Sequence, residues 1–266
     1  DLIIDHRSRM NFFREVLLNW FFYKVKTIFM IHSKDMVRDG FFENPLVRSK
    51  IVFNWLYKKS YLLVCVSKLI EEDIIKLHYF KNITTIYNSY DLGDEQNEAG
   101  SINKSEFILF FGRLEESSKN ISFLLESYSK SMLPSSGIKL LVLGDGPDKS
   151  EYQKLASRLK LNNNVQFVER MVNPFSVVKN AKFTVLTSNF EGFPMTIVES
   201  LACNVPVVAV DCETGPREIV KNGYNGLLVE KNLQNFTEAL NLMASDIELY
   251  ETCKRNCLNS IEHLSY

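Results

Sequence analysis

From residue 107 onward, short apolar runs alternate with segments in which apolar residues recur at helical spacing. This alternation predicts βα units and a parallel sheet, and the near-continuous apolar character of the runs predicts a sheet covered on both faces. The predicted strands are Phe107–Phe111, Lys139–Leu143, Val165–Val168, Phe183–Leu186, Pro206–Val210 and Gly226–Val229. Helices are predicted at Ile121–Lys130, Tyr152–Leu159, Pro174–Asn180, Pro194–Cys203 and Pro216–Lys221, with two more within Leu233–Leu264.

The first third of the chain is less regular. Three strands and three helices are predicted there, which make a thin α/β layer rather than a complete doubly wound domain. The strands are Thr27–Ile31, Tyr61–Val66 and Ile83–Tyr87, and the helices are Met10–Lys24, Pro45–Lys59 and Leu69–Tyr79. The polar stretch Gly93–Ser105 is typical of a linker or loop. We therefore predict two domains, residues 1–104 and residues 105–266.

Composition is that of a globular protein, because 45% of the 266 residues are hydrophobic and 24% are charged. The net charge of −1 divides unevenly: residues 1–90 hold 14 Lys and Arg against 9 Asp and Glu, a net of +5, and the remainder has a net of −6. A basic first third favours an anionic membrane surface or a phosphorylated ligand, or is simply uneven solvated charge. Nucleic-acid binding is not expected.

The five cysteines form no CxxC pair, which indicates reduced thiols in a cytoplasmic protein. Cys65 and Cys203 lie in apolar contexts and are predicted to be core residues. No apolar run reaches the roughly 18 residues that span a bilayer. We expect a cytoplasmic protein, with the inner face of the cell membrane as an alternative location.

The densest group of chemically informative residues runs from Ser188 to Glu199, after the fourth strand of the regular region. Pro194 suits the first turn of a helix, which would leave the next three N–H groups free to bind an anion: Met195, Thr196 and Ile197. Glu199 could accept hydrogen bonds from a vicinal diol, as acidic residues do for ribose. The alternative is a surface glutamate beside a helix-starting proline.

Three further groups follow neighbouring strands. Gly112-Arg113 and Lys119 follow the first regular strand, where an arginine and a lysine can converge on a diphosphate, although both are ordinary surface residues too. The turn Gly144–Pro147 lacks the spacing of a dinucleotide or P-loop site, so Gly144 is expected to form a tight turn and allow close approach of a ligand. Thr214–Ile219 again joins a loop to a helix that begins near a proline.

Together these groups resemble the retaining GT-B glycosyltransferases of the glycosyltransferase 4 (group 1) family. The resemblance covers Phe107–Val229 and centres on a Glu-x7-Glu element, EGFPMTIVE, from Glu191 to Glu199. It implies an α/β, GT-B type fold with a Rossmann-like donor domain, and transfer of a sugar from a nucleotide-diphosphate sugar with retention of configuration. The products would belong to surface polysaccharide synthesis.

The resemblance also assigns roles to individual residues. Arg113 and Lys119 would bind the diphosphate, with Gly112 and Gly144 close to the donor, and Glu199 would bind the ribose. Glu191 and the backbone at Phe193, Pro194 and Met195 would face the transferred sugar, and Thr196 would contact phosphate. The side chains that would select the base lie in loops, such as Glu169–Val172, that the sequence does not position. No cofactor and no metal are expected, because Asp91-Leu-Gly-Asp94 has the wrong spacing for a metal site, and a UDP-sugar is expected in preference to a GDP-sugar.

The first third resembles the later part of the family's acceptor domain. His32 matches a histidine at a strand end that faces the donor sugar, although a lone histidine could equally cap a strand. The family's opening strand and glycine-rich loop are not found, so we expect an incomplete N-terminal domain.

The acceptor is expected to be a glycan or a lipid-linked sugar. The aromatic and basic stretch Asn11–Lys26 favours a core-facing helix over one that lies on a membrane. Two rival functions remain open: a nucleotide-sugar epimerase of similar fold, and a non-catalytic nucleotide-sugar-binding half-protein.

Overall fold

The structure is a computed structural model that describes residues 1–6, 12–21, 25–32, 54–55, 57, 60–77, 80, 82–91, 106–212 and 214–265. In chain order its elements are β1 (Leu2–Asp5), α1 (Phe12–Phe21), β2 (Lys26–Ile31), β3 (Leu62–Cys65), α2 (Lys68–Leu77), β4 (Ile83–Thr85), β5 (Phe107–Phe111), α3 (Glu116–Lys119), α4 (Ile121–Lys130), β6 (Lys139–Leu143), α5 (Lys149–Arg158), β7 (Val165–Val168), α6 (Phe175–Val178), β8 (Thr184–Leu186), α7 (Met195–Ala202), β9 (Val207–Val210), α8 (Pro216–Ile219), β10 (Gly226–Val229), α9 (Leu233–Ser245) and α10 (Ile247–Ile261), followed by a 3-10 turn (Glu262–Leu264).

The chain divides into two compact units. The first comprises Asp1–Asn88 with Glu191–Phe193, and the second comprises Ser89–Phe190 with Pro194–Tyr266. The predicted linker at residues 93–105 and most of the predicted helix at residues 45–59 lie outside the described residues.

The first unit contains a parallel sheet in the order β1-β2-β3-β4. Its edge strand β1 was not predicted from the sequence, because the strand is only four residues long and three of them are exposed. Helix α1 was expected to face the core. Among those of its side chains that the structure describes, Glu15 is buried and three large apolar ones are exposed: Leu17, Trp20 and Phe21.

The second unit is built on a six-stranded parallel sheet in the order β10-β9-β8-β5-β6-β7. All six strands were predicted. Starting from β5, the chain first adds strands on one side and then crosses back to add β8, β9 and β10 on the other. The order therefore reverses between β5 and β8, and ligands of open α/β sheets bind at such a reversal, beyond the carboxyl ends of the strands.

Both faces of this sheet are covered. In β5, Phe107, Leu109 and Phe111 belong to one buried cluster and Ile108 and Phe110 to the other, as the two-residue period of a strand requires. The first cluster includes side chains of α6, and the second includes side chains of α4 and α9. This double burial explains why the strand is an unbroken apolar run, FILFF.

All five cysteines are buried and none forms a disulfide bond, and the prediction that Cys65 and Cys203 are core residues is confirmed. Burial raises the pKa of Cys65 to about 12 and that of Cys203 to about 11. These thiols therefore remain protonated at neutral pH and act as small apolar core residues.

The loops that follow β5 and β6 are packed backbone against backbone. The N–H of Gly112 donates to the carbonyl oxygen of Leu143 at 3.0 Å, and the N–H of Leu114 donates to that of Asp145 at 2.9 Å. A Cβ atom on residue 144 would lie 1.9 Å from the carbonyl oxygen of Gly112. The glycine at position 144 is therefore required by the neighbouring loop, and not by the local turn alone.

We predict that Gly144→Ala lowers the free energy of unfolding by about 3 kcal/mol, because the new methyl group overlaps backbone atoms that cannot rotate away. Gly137→Ala is the matched control: its φ of 76° is also positive, but no atom lies within 4 Å of the place that its new methyl group would take. It should cost about 1 kcal/mol. Urea denaturation of both variants measures the difference, and equal losses would contradict the packing argument.

Candidate active site

A cleft of about 770 Å³ lies in the second unit, at the carboxyl ends of β5 and β6. The loop after β7 and the first turns of α7 complete its wall. Its lining consists of Phe111, Gly112, Arg113, Leu143, Gly144, Asp145, Gly146, Arg170, Met171, Val172, Pro174, Thr196 and Glu199. Five of the residues predicted for the site are brought together here: Gly112, Arg113, Gly144, Thr196 and Glu199.

Arg113 directly follows Gly112, the first residue after β5. Its side chain is 67% exposed and forms an ion pair with Glu115, with 3.3 Å between the guanidinium and carboxylate atoms. Glu115 is itself held by Ser118, whose Oγ donates to the carboxylate at 3.0 Å. Exposed ion pairs of this kind stabilise a fold by at most about 1 kcal/mol, so an anionic ligand can replace Glu115 as the partner of Arg113.

Glu199 lies on α7, just over one turn from the start of the helix, and is one of the residues that line the cleft. Burial raises the pKa of this carboxyl group. No hydrogen bond to this carboxylate occurs among residues 106–212 and 214–265. Its negative charge is thus only partly solvated at neutral pH, and the carboxylate is available to accept hydrogen bonds from hydroxyl groups of a ligand.

The start of α7 differs in detail from the prediction. Pro194 precedes the helix as its N-cap, with an extended ψ of 99°, instead of occupying the first helical turn. The N–H of Ile197, predicted to be free, donates to the carbonyl oxygen of Pro194 at 3.0 Å. An anion at this helix start would therefore meet Met195 and Thr196, of which Thr196 lines the cleft.

Lys119 and Met195 are outside the cleft lining, and so is Pro194. Lys119 is the last residue of α3, a one-turn helix that sequence periodicity did not predict because four residues are too few to show a period. Glu191 and Phe193 group with the first unit, where the Phe193 ring lies 5.2 Å from that of Tyr87.

His32 lies in the first unit, directly after β2. Its ring centroid is 5.9 Å from that of His6, which directly follows β1. Burial and, secondly, the charge of His6 lower the pKa of His32, so that its imidazole is neutral at pH 7. A neutral imidazole can accept a hydrogen bond, but the predicted role of His32 at the donor sugar stays a prediction.

The fourth sequence group, Thr214–Ile219, is braced outside the cleft lining. Arg217 donates to both carboxylate oxygens of Asp211, at 2.9 and 2.8 Å. Asn225, fully buried, donates to the carbonyl oxygen of Ile219 and to Ser260 Oγ. These contacts join the loop after β9 to α8, and join α8 and the residue before β10 to helix α10.

Sequence reasoning did not place the loop after β7 in the site, although it named Glu169–Val172 as a region that could select the base. Arg170, Met171 and Val172 form one wall of the cleft. The available signal was position alone: the loop follows the carboxyl end of a strand that neighbours β6.

Within the described residues, no three His, Cys, Asp or Glu side chains come together as metal ligands would. In the same part of the chain, no helix combines the length and the apolar character that crossing a membrane requires.

Comparison with known proteins identifies the family. Residues 93–259 match the family described as glycosyl transferases group 1. The chain belongs to this family. The group 1 match contains the whole six-stranded sheet and every residue of the cleft lining.

Two relatives of this group 1 member are similar along most of its length. An uncharacterized glycosyltransferase of Methanocaldococcus jannaschii, MJ1059, is 30% identical over 239 residues, which cover 83% of this chain and 58% of the relative. A second is the N-acetylgalactosamine-N,N'-diacetylbacillosaminyl-diphospho-undecaprenol 4-alpha-N-acetylgalactosaminyltransferase of Campylobacter jejuni. It is 33% identical over 217 residues, with coverage of 79% and 58%. The chain thus spans just over half the length of either relative.

A solved structure supports the fold. The Anabaena protein HepE, in complex with UDP-glucose, matches with a TM-score of 0.79 at 18% identity, over 100% of this chain and 75% of HepE. The predicted fold class, α/β with parallel sheets of the GT-B type, is confirmed.

We predict that replacing Glu199 by Gln stabilises the protein at neutral pH. Because burial raises the pKa of Glu199, the folded state retains a proton that the unfolded state releases. The stability of the wild-type protein should therefore fall as pH rises from the ordinary pKa of glutamate through the raised value. Urea denaturation at pH 4 and pH 7.5 should show the Gln variant to be more stable only at the higher pH. Glu126→Gln, at an exposed site on α4, should show no such gain; a gain at both pH values for Glu199→Gln would refute the assignment.

Proposed function

We propose that the protein transfers a sugar from a nucleoside-diphosphate sugar to a glycan or a lipid-linked sugar, in the synthesis of a surface polysaccharide. The observation that carries the proposal is that Arg113 and Glu199 line a single cleft at the strand-order reversal of the sheet. Arg113 supplies a cation for a diphosphate, and Glu199 supplies hydrogen-bond acceptors for a ribose diol. A diphosphate and a ribose are the two groups that all nucleoside-diphosphate sugars share.

In this proposal the departing diphosphate is stabilised by charge. Arg113 would exchange its ion pair with Glu115 for the diphosphate, and Thr196 at the start of α7 would add a contact in the positive field of the helix. Such preorganised positive groups lower the barrier where negative charge develops. Lys119 is assigned to the same task, and Glu191, Phe193, Pro194 and Met195 to the transferred sugar. His32 is assigned to the sugar from the acceptor side.

We infer retention of anomeric configuration and a reaction that needs no metal ion. Sugar transfer on the face that the leaving group vacates lets the leaving phosphate assist removal of the acceptor proton, so that no second carboxylate is required across the sugar.

We further propose a UDP-sugar as the donor. The UDP-glucose complex of HepE supports this choice, and the undecaprenol-linked acceptor in the Campylobacter relative's name supports a lipid-linked acceptor here.

Nucleotide binding tests the donor site. Calorimetry with UDP and with GDP, both in EDTA, should show micromolar affinity for UDP, and Glu199→Ala should weaken it by at least tenfold because the ribose loses its acceptor. Arg113→Ala should lower sugar transfer by about a hundredfold, since it removes a cation from the developing charge. Glu126→Ala should change neither.

The product of the same reaction decides the chemistry. We expect an α-linked product from an α-linked donor, read from the anomeric proton by NMR. Free sugar or an epimer formed without acceptor would show an epimerase instead. Tight UDP binding without turnover on any lipid-linked acceptor would show a binding protein, and no nucleotide binding would refute the donor site.

We also propose a peripheral contact with the membrane that holds the acceptor, at its cytoplasmic face. Helix α1 exposes 71% of Trp20 and 64% of Phe21, within a first third whose charge is basic. Aromatic side chains beside basic residues favour the interface of an anionic bilayer.

Vesicle binding tests this contact. Replacing Trp20 and Phe21 together by Ser should reduce co-sedimentation with vesicles that contain about 30 mol% of an anionic lipid, on the order of tenfold for the two buried aromatics. Ile247→Ser, at a site 77% exposed on α10, is the control and should have no effect. Equal sedimentation of all three proteins would rule out this use of α1.

A further inference from the structure

The short helix α3 begins three residues after Arg113 and ends at Lys119, and these are the two cations assigned to the diphosphate. Its four carbonyl oxygens all accept hydrogen bonds from the segment that follows β8. Asn189 Nδ2 donates to the carbonyl oxygens of Glu116 and Ser117, at 3.2 and 2.9 Å. The N–H of Asn189 donates to Ser118 at 2.8 Å, and Thr187 Oγ1 donates to Lys119 at 3.0 Å.

These bonds account for the existence of α3. The last four carbonyl groups of a helix lack a partner within the helix. In α3 only that of Glu116 has a local partner, the N–H of Asn120 at 3.1 Å, and the other three depend on the segment after β8. A single turn is also far too short to be stable alone. At its other end, the N–H of Glu116 donates to Asp148 Oδ2 at 2.8 Å, a contact from the loop after β6. The position of α3 is thus set from outside.

The side chain of Asn189 is oriented by a third loop. Its Oδ1 accepts a hydrogen bond from the Nζ of Lys231, which follows β10. A cation at Oδ1 turns the amide so that Nδ2, the donor, faces the carbonyl oxygens of α3. Thr187 is fully buried, which fixes its hydroxyl as well.

We propose that Asn189 and Thr187 are positioning residues for the diphosphate of the donor. They act by holding the backbone of α3, which begins shortly after Arg113 and ends at Lys119. Neither residue lines the cleft, and the polar side-chain donors of both bond to the backbone of α3. This inference rests on the proposed function, because it supposes that the cations at the two ends of this segment bind a diphosphate.

Comparison of UDP with uridine separates positioning from a general loss of structure. Uridine carries the base and the ribose but no phosphate, so it uses Glu199 and the loop after β7 and not the cations. Asn189→Ala removes both side-chain hydrogen bonds to α3, together with the one from Lys231, without changing the charge. We expect it to weaken UDP binding about tenfold while uridine binding is unchanged. Calorimetry measures the former and ligand-detected NMR the latter.

A matched control and a second variant accompany this test. Asn256→Ala removes a similar bond, from Nδ2 to the carbonyl oxygen of Thr252 at 2.9 Å, on α10. It should leave both affinities unchanged. Thr187→Val keeps the size of the side chain and removes only the bond to Lys119, so we expect a threefold to fivefold loss for UDP alone. If Asn189→Ala fails to fold, Thr187→Val decides the matter.

The outcomes distinguish failure of the proposed donor site from failure of the positioning role of Asn189 and Thr187. Wild-type protein that binds no UDP refutes the proposed donor site, and the inference with it. Wild-type binding of UDP that survives in Asn189→Ala and Thr187→Val refutes the inference alone. Equal weakening of UDP and uridine also refutes it, because a merely structural role would damage the whole site.

Discussion

The carbonyl oxygen of Gly112 occupies the place where any side chain on residue 144 would begin. This contact sets the separation of the two loops that form the floor of the cleft. Two backbone hydrogen bonds, from Gly112 to Leu143 and from Leu114 to Asp145, extend it on both sides. Backbone atoms, unlike side chains, cannot move away by changing rotamer. The backbone of Arg113 is therefore held in place, although its side chain is exposed.

Two of the charged residues that line the cleft, Glu199 and Arg113, lie in opposite environments. Glu199 is desolvated, and its raised pKa records an unfavourable negative charge. Arg113 remains in solvent beside Glu115, where water screens both charges. A ligand that brings hydroxyl groups to the first and an anion to the second would improve the environment of Glu199 at little cost to the ion pair. Without a ligand, the desolvated charge of Glu199 makes the protein less stable than it would be with an uncharged side chain at this position.

The six strands of the second unit could be predicted because each is buried on both faces and hence continuously apolar. Gly112, Arg113, Gly144, Thr196 and Glu199 could be predicted because they follow such strands. Helix α3 could not be, since the bonds that stabilise it come from Thr187 and Asn189, about seventy positions further along the chain. The N-cap position of Pro194 and the exposure of α1 were missed for a related reason: residue type is compatible with either arrangement, and only the tertiary contacts choose.

The outermost position of β7 has a consequence for how the ligand preference of the cleft can change over evolutionary time. In the second unit β7 pairs with β6 alone, so the loop that follows it joins the cleft from the rim of the sheet. The loop after β5, in contrast, is enclosed by neighbours on each side. Insertions, deletions and substitutions after β7 disturb few contacts, whereas those after β5 disturb many. A lineage can therefore change the ligand contacts at the rim while the loops at the centre of the sheet are inherited intact.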